Sequence, residues 1–409
     1  MHRLPHSAVS GDATSCDCVV LGELNLVRAA GMAGLRPLVV SRNPFTARSR
    51  YAAGEATVTA AVEDMERSAE ELLALGRSMP GRPVLYFSND AHLLMLARHR
   101  SELLTAFRFL LAESELIEDL VDKSRFQELA RRHLLPVPGS ILCDDDATDL
   151  DPPWGFPCIV KPTSRVGWFE SKIMGRVPHK VFKVSGRAEL REWAARLREG
   201  GRAFILQEYV EGGDDAIFSY HAYVNASGRT LGWFVGKKVR TYPMDTGRST
   251  CLELVHDEEV RQLGESILGR LGFRGVVKID FKRDVRSGRL FLLEVNPRYN
   301  IWHYLGAVCG VNLPGICHRD LTGGAPVPES TYRTGIRWIS VPMDLKATWS
   351  LIRSRKLRVG AWIRSYAGRK IYNRFAWNDP MPVLASGSSA IVRRLARRES
   401  SAPIAGTRT

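Results

Sequence analysis

The residues with the clearest chemical pattern lie in a segment that alternates apolar and polar side chains, residues 275–300 (GVVKIDFKRDVRSGRLFLLEVNPRYN). Alternate side chains of a strand share a face, so Glu294 and Asn296 point the same way. A hairpin centred on Ser287 places Asp280 directly across from Glu294. Two carboxylates and an amide oxygen on one patch are hard ligands that suit Mg²⁺, which takes its remaining ligands from water and nucleotide phosphates.

The alternative is an exposed hairpin whose acidic residues pair with Lys278 or Lys282 in solvent. Such surface pairs do not require the Asn-Pro-Arg that follows the glutamate. The hairpin resembles the magnesium-binding end of the ATP-grasp fold, whose members carry an acidic residue on one strand and Glu-x-Asn on the next. The resemblance extends over about residues 19–321. It implies ATP and Mg²⁺ as cofactors, with Mn²⁺ as an alternative ion, and Asp280, Glu294 and Asn296 as metal ligands.

The resemblance also implies two lobes that hold the nucleotide between them, with lysines on the phosphates. Lys123, in VDKSRF, and Lys161, in CIVKP, match these lysines, and a lysine is a mobile point charge suited to a phosphate oxygen. Residues 206–215 (LQEYVEGGDD) resemble the hinge between the lobes. The implied nucleoside contacts are Glu208, Tyr209 and Val210 for adenine and Asp214 for ribose.

Three further features bear on the substrate side. Residues 163–169 (TSRVGWF) occupy the place of the phosphate-covering loop, but they hold one glycine where many relatives have several, so their backbone contacts stay open. Residues 236–250 are either a solvated basic loop or a source of substrate contacts through Lys237 and Arg240. Arg298 resembles the arginine of Glu-x-Asn-x-Arg in carboxylases and carbamoyl phosphate synthases, and its planar fork suits a carboxylate.

The elements that must position these residues follow from hydrophobic periodicity. Buried strand and helix patterns alternate over residues 17–41, which predicts a βαβ unit, and a strand at 83–88 precedes helical stretches over 91–112. The lone Gly22 is not a dinucleotide-binding fingerprint, because the G-x-G-x-x-G spacing is absent. From residue 122, short strands interrupted by helices predict an α+β region.

The expected fold is therefore an α+β ATP-grasp fold preceded by a small α/β domain. The expected division is 1–120 as the N-terminal α/β domain, 121–325 as the ATP-grasp domain, 326–399 as a basic C-terminal extension and 400–409 as a disordered tail.

The charge of the chain is unevenly distributed. The formal net charge is +14, and residues 331–409 carry sixteen Lys or Arg against three acidic residues, which is +13 of that total. A basic tail with interleaved tryptophans favours binding to an anionic membrane surface or another polyanion as a second class of function, although it contains no recognisable nucleic-acid motif. No apolar run reaches the roughly 18 residues of a membrane span, and the seven cysteines are scattered, so we expect a cytoplasmic protein with reduced thiols.

The resemblance implies a carboxylate-amine ligase that forms an acyl phosphate and then an amide, with release of ADP and phosphate. The arrangement resembles amino-acid ligases of the D-aspartate ligase type. Bicarbonate or another small carboxylate as the acid is an alternative that Arg298 permits. His221, His256 and His303 are candidate general bases, and no sequence signal selects one. A homodimer is a further expectation, because dimers are common among such enzymes.

Overall fold

The computed structural model of the chain describes eight stretches of the sequence. They are residues 9–11, 15–60, 64–143, 151–162, 181–199, 203–244, 247–325 and 331–386. The segment 163–169, expected to cover phosphates, and the tail 400–409 lie outside the described residues.

The N-terminal region is an α/β unit, as the βαβ pattern predicts. Its elements are β1 (Val9–Gly11), β2 (Cys18–Leu21), α1 (Leu24–Met32), β3 (Pro37–Val40), β4 (Gly54–Ala56), α2 (Met65–Ser78), β5 (Val84–Phe87), α3 (Asp90–Arg98) and α4 (Arg100–Leu103). The strand order is β1-β4-β3-β2-β5, with β2 to β5 parallel and β1 antiparallel to β4. Every residue of β2 and of β5 is buried, which is typical of parallel strands covered on both faces.

The helical pattern expected over residues 91–112 ends early, at residue 103. Beyond it the backbone of Arg108 pairs with the edge of β5. Its N–H donates to the Pro83 carbonyl and its carbonyl accepts from Leu85, both at 2.9 Å. Satisfying backbone groups at the sheet edge outweighs the local helical periodicity here.

A smaller antiparallel sheet and its helices follow. The elements are α5 (Ser114–Val121), α6 (Lys123–Arg132), β6 (Ser140–Cys143), β7 (Cys158–Pro162), β8 (Phe182–Val184), α7 (Arg187–Glu199) and β9 (Phe204–Glu208). The strand order is β6-β9-β7-β8. Val160, Leu206 and Leu190 pack together between this sheet and α7, and this packing fixes β7, the strand that carries Lys161.

The largest sheet carries the acidic hairpin. Its elements and flanking helices are β10 (Ile217–Val224), β11 (Thr230–Tyr242), β12 (Arg248–Leu254), α8 (Glu258–Arg270), β13 (Gly275–Arg283), β14 (Leu290–Asn296), α9 (Trp302–Cys309), α10 (Leu313–Leu321), β15 (Ile336–Ile339), α11 (Val341–Arg353), α12 (Val359–Ser365) and β16 (Arg369–Tyr372). The strand order is β14-β13-β10-β11-β12-β15-β16. Together the three sheets confirm the expected α+β class with a preceding α/β domain.

The described part of the expected C-terminal extension, 326–399, packs against the rest of the fold. Strand β15 pairs with β12, so the large sheet is completed by residues beyond 330. Farther along, the buried Asp379 accepts a hydrogen bond from the buried Arg28 at 2.8 Å, which ties the C-terminal segment to α1. The basic region is therefore part of the packed fold.

Two findings bear on the environment of the chain. None of the seven cysteines, all of which lie in the described ranges, is in a disulfide. Within the described ranges, no helix combines the length and the apolar character needed to cross a bilayer.

Candidate functional site

The hairpin β13–β14 brings the expected metal ligands to one place. Asp280 is paired directly with Glu294, and Lys278 is paired with Asn296, as a turn centred on Ser287 predicts. One residue farther along β13 the register shifts at a bulge. The symmetric register therefore holds for the part of the hairpin that carries the two carboxylates and the amide.

The acidic patch is buried and partly neutralised by protein groups. Asp280 is 2% exposed and accepts hydrogen bonds from the Ser219 hydroxyl and the Lys278 ammonium. The Lys278 side chain is only 12% exposed, so this ion pair is not the solvated surface pair of the alternative interpretation. Lys278 compensates the Asp280 carboxylate, and the paired Glu294 carboxylate lies on the same patch. Two adjacent carboxylates are oxygen donors of the kind that Mg²⁺ binds.

Asn296 shows an unsatisfied polar group beside these carboxylates. Its side chain is 8% exposed, and its amide nitrogen has no hydrogen-bond partner. Its amide oxygen accepts from an Arg298 nitrogen at 3.2 Å. Among the described residues, no three His, Cys, Asp or Glu side chains form a metal-binding group. Mg²⁺ at such a patch usually takes its remaining ligands from water and nucleotide phosphates.

Lys161 faces the acidic patch from the smaller sheet. Its ammonium donates to the Gln207 side-chain oxygen at 3.1 Å. Burial lowers the pKa of Lys161 to about 8, and the Glu294 carboxylate acts in the opposite direction. The lysine is thus within electrostatic reach of Glu294, and an anion placed between them would stabilise its charged form. The sequence does not identify Gln207 as a site residue, because it predicts only that Gln207 lies in a strand.

Lys123 begins α6, where the Asp122 carboxylate caps the helix by accepting from the N–H groups of Ser124 and Arg125, both at 2.9 Å. The lysine side chain is half-buried. Its helix position agrees with the sequence pattern.

Glu208, the first of the expected adenine contacts, already forms hydrogen bonds within the protein. The N–H of Glu208 donates to the Gly139 carbonyl at 2.8 Å, and its carboxylate accepts from the Gly139 N–H at 3.0 Å. The Tyr209 ring is covered by the Lys183 ammonium at 3.8 Å from the ring centroid, and Val210 is buried. Any adenine hydrogen bond to an N–H here must therefore come from residues after Glu208.

Asp214 holds the hinge against β11. Its carboxylate accepts from the Thr241 N–H at 2.6 Å and from the Thr241 hydroxyl at 2.7 Å, and the side chain is 9% exposed. Glu211, three residues earlier, has no hydrogen-bond partner for its carboxylate among the described residues, and it is only half-buried. Asp214 and Glu211 thus both lie in the segment from which the sequence resemblance expects a ribose contact.

The basic residues of β11 divide between the two faces of the sheet. Lys237 pairs with Phe218, which pairs with Phe281, in the row next to Asp280. Neighbouring rows point to opposite faces, so Lys237 faces away from the acidic patch. Lys238 lies on the same face as Asp280, because adjacent residues of a strand point to opposite faces. The alternation of side chains along β11 therefore identifies Lys238.

Arg240 is engaged in the core. It is 3% exposed, and its guanidinium donates to both oxygens of Asp344 at 2.8 Å and to the Ser365 hydroxyl at 2.9 Å. These contacts occupy all three guanidinium nitrogens. The arrangement corrects the expectation of a substrate contact, because the planar fork is already committed to a buried carboxylate.

Arg298 joins the hairpin to the N-terminal domain. Its Nε donates to the Asp90 carboxylate at the start of α3, and the other end of its fork donates to Asn296. The next residue, Tyr299, donates its N–H to the carbonyl of Phe87 at 3.2 Å. The arginine therefore stands where the acidic patch meets the end of β5, and Asp90 is a partner that the sequence analysis missed.

Two of the three candidate histidines are core residues. Burial lowers the pKa of His303 to about 4 and that of His221 well below its usual range. The His221 ring stacks on Phe234 with centroids 4.5 Å apart. Both imidazoles are neutral at pH 7. His256 is exposed and packs against Tyr332, with ring centroids 4.6 Å apart.

Comparison with known proteins supports the fold. No family model matches the sequence. An N5-carboxyaminoimidazole ribonucleotide synthetase solved with ADP is 15% identical, covers 78% of this chain over 80% of its own length, and superposes with a TM-score of 0.58. The biotin carboxylase domain of 2-oxoglutarate carboxylase from Hydrogenobacter thermophilus is 17% identical, with coverages of 79% and 74% and a TM-score of 0.58. An L-amino acid ligase from Bacillus licheniformis is 15% identical, with coverages of 78% and 77% and a TM-score of 0.57.

At these identities the likeness is one of fold. The chain has the ATP-grasp fold, preceded by a small α/β domain, which confirms the architecture expected from the hairpin resemblance. A shared fold does not assign a reaction, because function depends on the groups placed in the site.

Proposed function

We propose that this chain is an ATP- and Mg²⁺-dependent ligase that activates a carboxylate as an acyl phosphate and joins it to an amine, releasing ADP and phosphate. The pairing of Asp280 with Glu294 beside Asn296, with Lys161 opposite, is the observation that carries the proposal. It combines carboxylates that could hold a cation with a lysine that interacts electrostatically with Glu294, and phosphoryl transfer uses both kinds of group.

The donor set fits Mg²⁺. Asp280, Glu294 and Asn296 would hold the ion through two carboxylates and an amide oxygen, and Mn²⁺ accepts the same donors. The bound ion would neutralise charge on the transferred phosphoryl group. Lys278, by pairing with Asp280, limits the negative charge of the patch when no nucleotide is bound.

The remaining nucleotide contacts follow from the positions of the side chains. Lys161 and Lys123 would bind phosphate oxygens as mobile charges. Tyr209 and Val210 would contact adenine, while Glu208 contributes by fixing the hinge to Gly139. Either Asp214 or the unpartnered Glu211 would accept hydrogen bonds from the ribose.

On the substrate side, Arg298 is placed to steady a carboxylate or the oxyanion that forms when the acyl carbon is attacked. Lys238 replaces Lys237 in this proposal, because it shares the face of Asp280. Arg240 is assigned to the stability of the fold, because its fork is held by Asp344.

The ligase proposal is tested by trapping the acyl phosphate. The protein is incubated with ATP, Mg²⁺ and hydroxylamine, and with amino acids and small carboxylates offered one at a time. We expect one carboxylate to give a hydroxamate together with stoichiometric ADP. Failure of every carboxylate to give a hydroxamate contradicts the proposal. ADP release that depends on bicarbonate and gives no hydroxamate from the others supports the carboxylase-like alternative instead.

A second function, at the membrane surface, is favoured by the exposed faces of α11 and α12. Apolar side chains occupy positions four residues apart on each helix, with exposed fractions of 36–70%. They are Val341, Leu345 and Trp349 on α11 and Val359 and Ile363 on α12. We call these residues the α11–α12 surface. Isolated apolar side chains are ordinary, but a two-helix stripe of this kind is typical of an interaction site.

Charge selects the partner of the α11–α12 surface. Exposed cations lie on the same two helices and in the segment between them, namely Lys346, Arg353, Arg355, Lys356, Arg358 and Arg364. The acidic residue of the same region, Asp344, is buried against Arg240. An apolar stripe among cations suits the interface of an anionic lipid bilayer, where each basic residue contributes about 1 kcal/mol.

We expect the protein to sediment with phosphatidylserine-containing vesicles and not with pure phosphatidylcholine vesicles. Trp349→Ser should weaken this binding at least several-fold, because an interfacial ring is lost. Leu142→Ser, at an apolar side chain of the smaller sheet that is 53% exposed, is the matched control. Equal binding to both vesicle types contradicts the assignment. Binding to duplex DNA without binding to vesicles assigns the cations to another polyanion.

We place the reaction in the cytoplasm, which supplies ATP, Mg²⁺ and the reducing conditions that suit seven free cysteines. The homodimer stays a prediction, and sedimentation velocity measures it directly.

A further inference from the structure

The strand order of the N-terminal sheet reverses at β2, next to the acidic hairpin. From β2 the chain moves to β3 and β4 on one side, and β5 then pairs with the other side of β2. Ligands of open parallel sheets bind outside the carboxyl ends of the strands at such a reversal. The loops at this point begin with Gly22 and Ser88, and they are in close contact, since a Cβ on Gly22 would lie 2.7 Å from the Ser88 hydroxyl oxygen.

The acidic hairpin reaches this crevice through Arg298. The Arg298 side chain connects Asn296 with Asp90, the residue that opens α3 after β5. The backbone of Tyr299 bonds to the end of β5 as well. Arg298 therefore links the acidic patch to the residue that follows β5.

Glu23 enters this crevice from the end of β2. It precedes α1 but makes no capping hydrogen bond with its side chain. Its carboxylate has no hydrogen bond or ion pair with another described residue. Solvent reaches the side chain, yet burial raises the pKa of Glu23, with Arg248 and Arg298 acting in the opposite direction. Glu23 is therefore a solvent-accessible carboxylate beyond the carboxyl end of β2, close enough to Arg248 and Arg298 for both to act on its pKa.

The other acidic and histidine groups around the crevice are already satisfied or neutral. Asp90 is paired with Arg298. Burial lowers the pKa of His92 to about 4, so its imidazole is uncharged at pH 7. Arg248, at the start of β12, is exposed and makes no ion pair with a described residue. Glu23 and Arg248 are therefore a carboxylate and a guanidinium that are both accessible to a ligand.

We propose that Glu23 binds the ammonium group of the amine substrate and takes its proton, so that the amine enters at the carboxyl ends of β2 and β5. An amine that also carries a carboxylate would place that group on Arg248, which makes a zwitterionic amino acid the favoured class. The inference rests on the proposed ligase function, and it supplies a general base, a role that burial denies to His221 and His303.

The proton balance of the step is simple. The ammonium R–NH₃⁺ gives one proton to the Glu23 carboxylate and becomes R–NH₂. Its nitrogen attacks the acyl carbon, the N–C bond forms, and the C–O bond to the phosphoryl group breaks with its electron pair leaving on phosphate. The nitrogen loses a second proton to the departing phosphate, which gives a neutral amide.

The test compares two nucleophiles in the Glu23→Gln variant of the full-length chain. Hydroxylamine is largely uncharged at neutral pH and needs no base, so hydroxamate formation from the acyl phosphate should stay within about two-fold of the wild-type value. Amide formation with an amino acid as the amine should fall on the order of 100-fold, the usual effect of a general base. Glu70→Gln, at an exposed carboxylate on α2, is the matched control.

The outcomes separate the two proposals. Amide formation by Glu23→Gln at the wild-type rate overturns the role of Glu23 and leaves the ligase function standing. An equal loss of hydroxamate and amide also overturns it, because the defect then precedes amine attack. Absence of hydroxamate from the wild-type protein overturns the ligase function, and the inference falls with it.

Discussion

Replacing Glu294 by Gln is expected to lower ADP release by about 100-fold or more and to remove the Mg²⁺-dependent part of ATP binding. Loss of an outer partner of a metal ligand costs roughly 10- to 100-fold, and a direct anionic ligand should cost at least the upper value. The amide keeps the volume of the side chain, and Glu294 is only half-buried, so the fold should persist. Calorimetric titration of ATP with and without Mg²⁺ measures the binding term, and it needs no knowledge of the substrates.

Glu259→Gln is the matched control for this variant. Glu259 pairs with Arg283, and 58% of its side chain is exposed. An exposed pair of this kind contributes little to stability and holds no nucleotide. If Glu294→Gln binds Mg·ATP as tightly as Glu259→Gln does, the assignment of the metal patch is wrong.

Asp344→Asn should lower the free energy of unfolding by about 3–5 kcal/mol, the usual cost of removing one partner of a buried ion pair. Asp344 is fully buried and accepts from Arg240, Thr250 and Tyr366. Without its charge, the Arg240 guanidinium stays in the core uncompensated. Urea denaturation followed by tryptophan fluorescence at pH 7 measures the change.

Two comparisons make this result specific. Asp151→Asn breaks an ion pair with Arg187 in which both side chains are more than half exposed, and it should cost no more than about 1 kcal/mol. The double change Arg240→Met with Asp344→Leu removes both charges and should recover most of the loss. A stability of Asp344→Asn equal to that of Asp151→Asn would show that the basic region is not part of the cooperative core. In that case, truncation after residue 329, which also removes β15, should leave a folded protein. We expect instead that the truncated protein does not fold.

The hairpin illustrates how far the sequence alone reaches. A strand repeats every two residues, so the faces of Asp280, Glu294 and Asn296 follow from their spacing, and the turn residues set which pair is opposed. The spacing does not predict the bulge beyond Asp280, because the bulge depends on how β14 packs against the rest of the structure. The same limit applies to Lys237. The sheet face to which its side chain points depends on the register between β10 and β11, and the adjacent Lys238 points to the opposite face.

The sequence by itself determined the βαβ opening, the start of α6 at Lys123, and the acidic hairpin, because each depends on residues close together in the chain. The tertiary structure alone decided which charged groups are committed to each other. Arg240 meets Asp344 across 104 residues, Arg298 meets Asp90 across 208, and Arg28 meets Asp379 across 351. Local periodicity carries no information about such pairs, since any exposed acid is an equally good partner until packing brings one of them within hydrogen-bond distance.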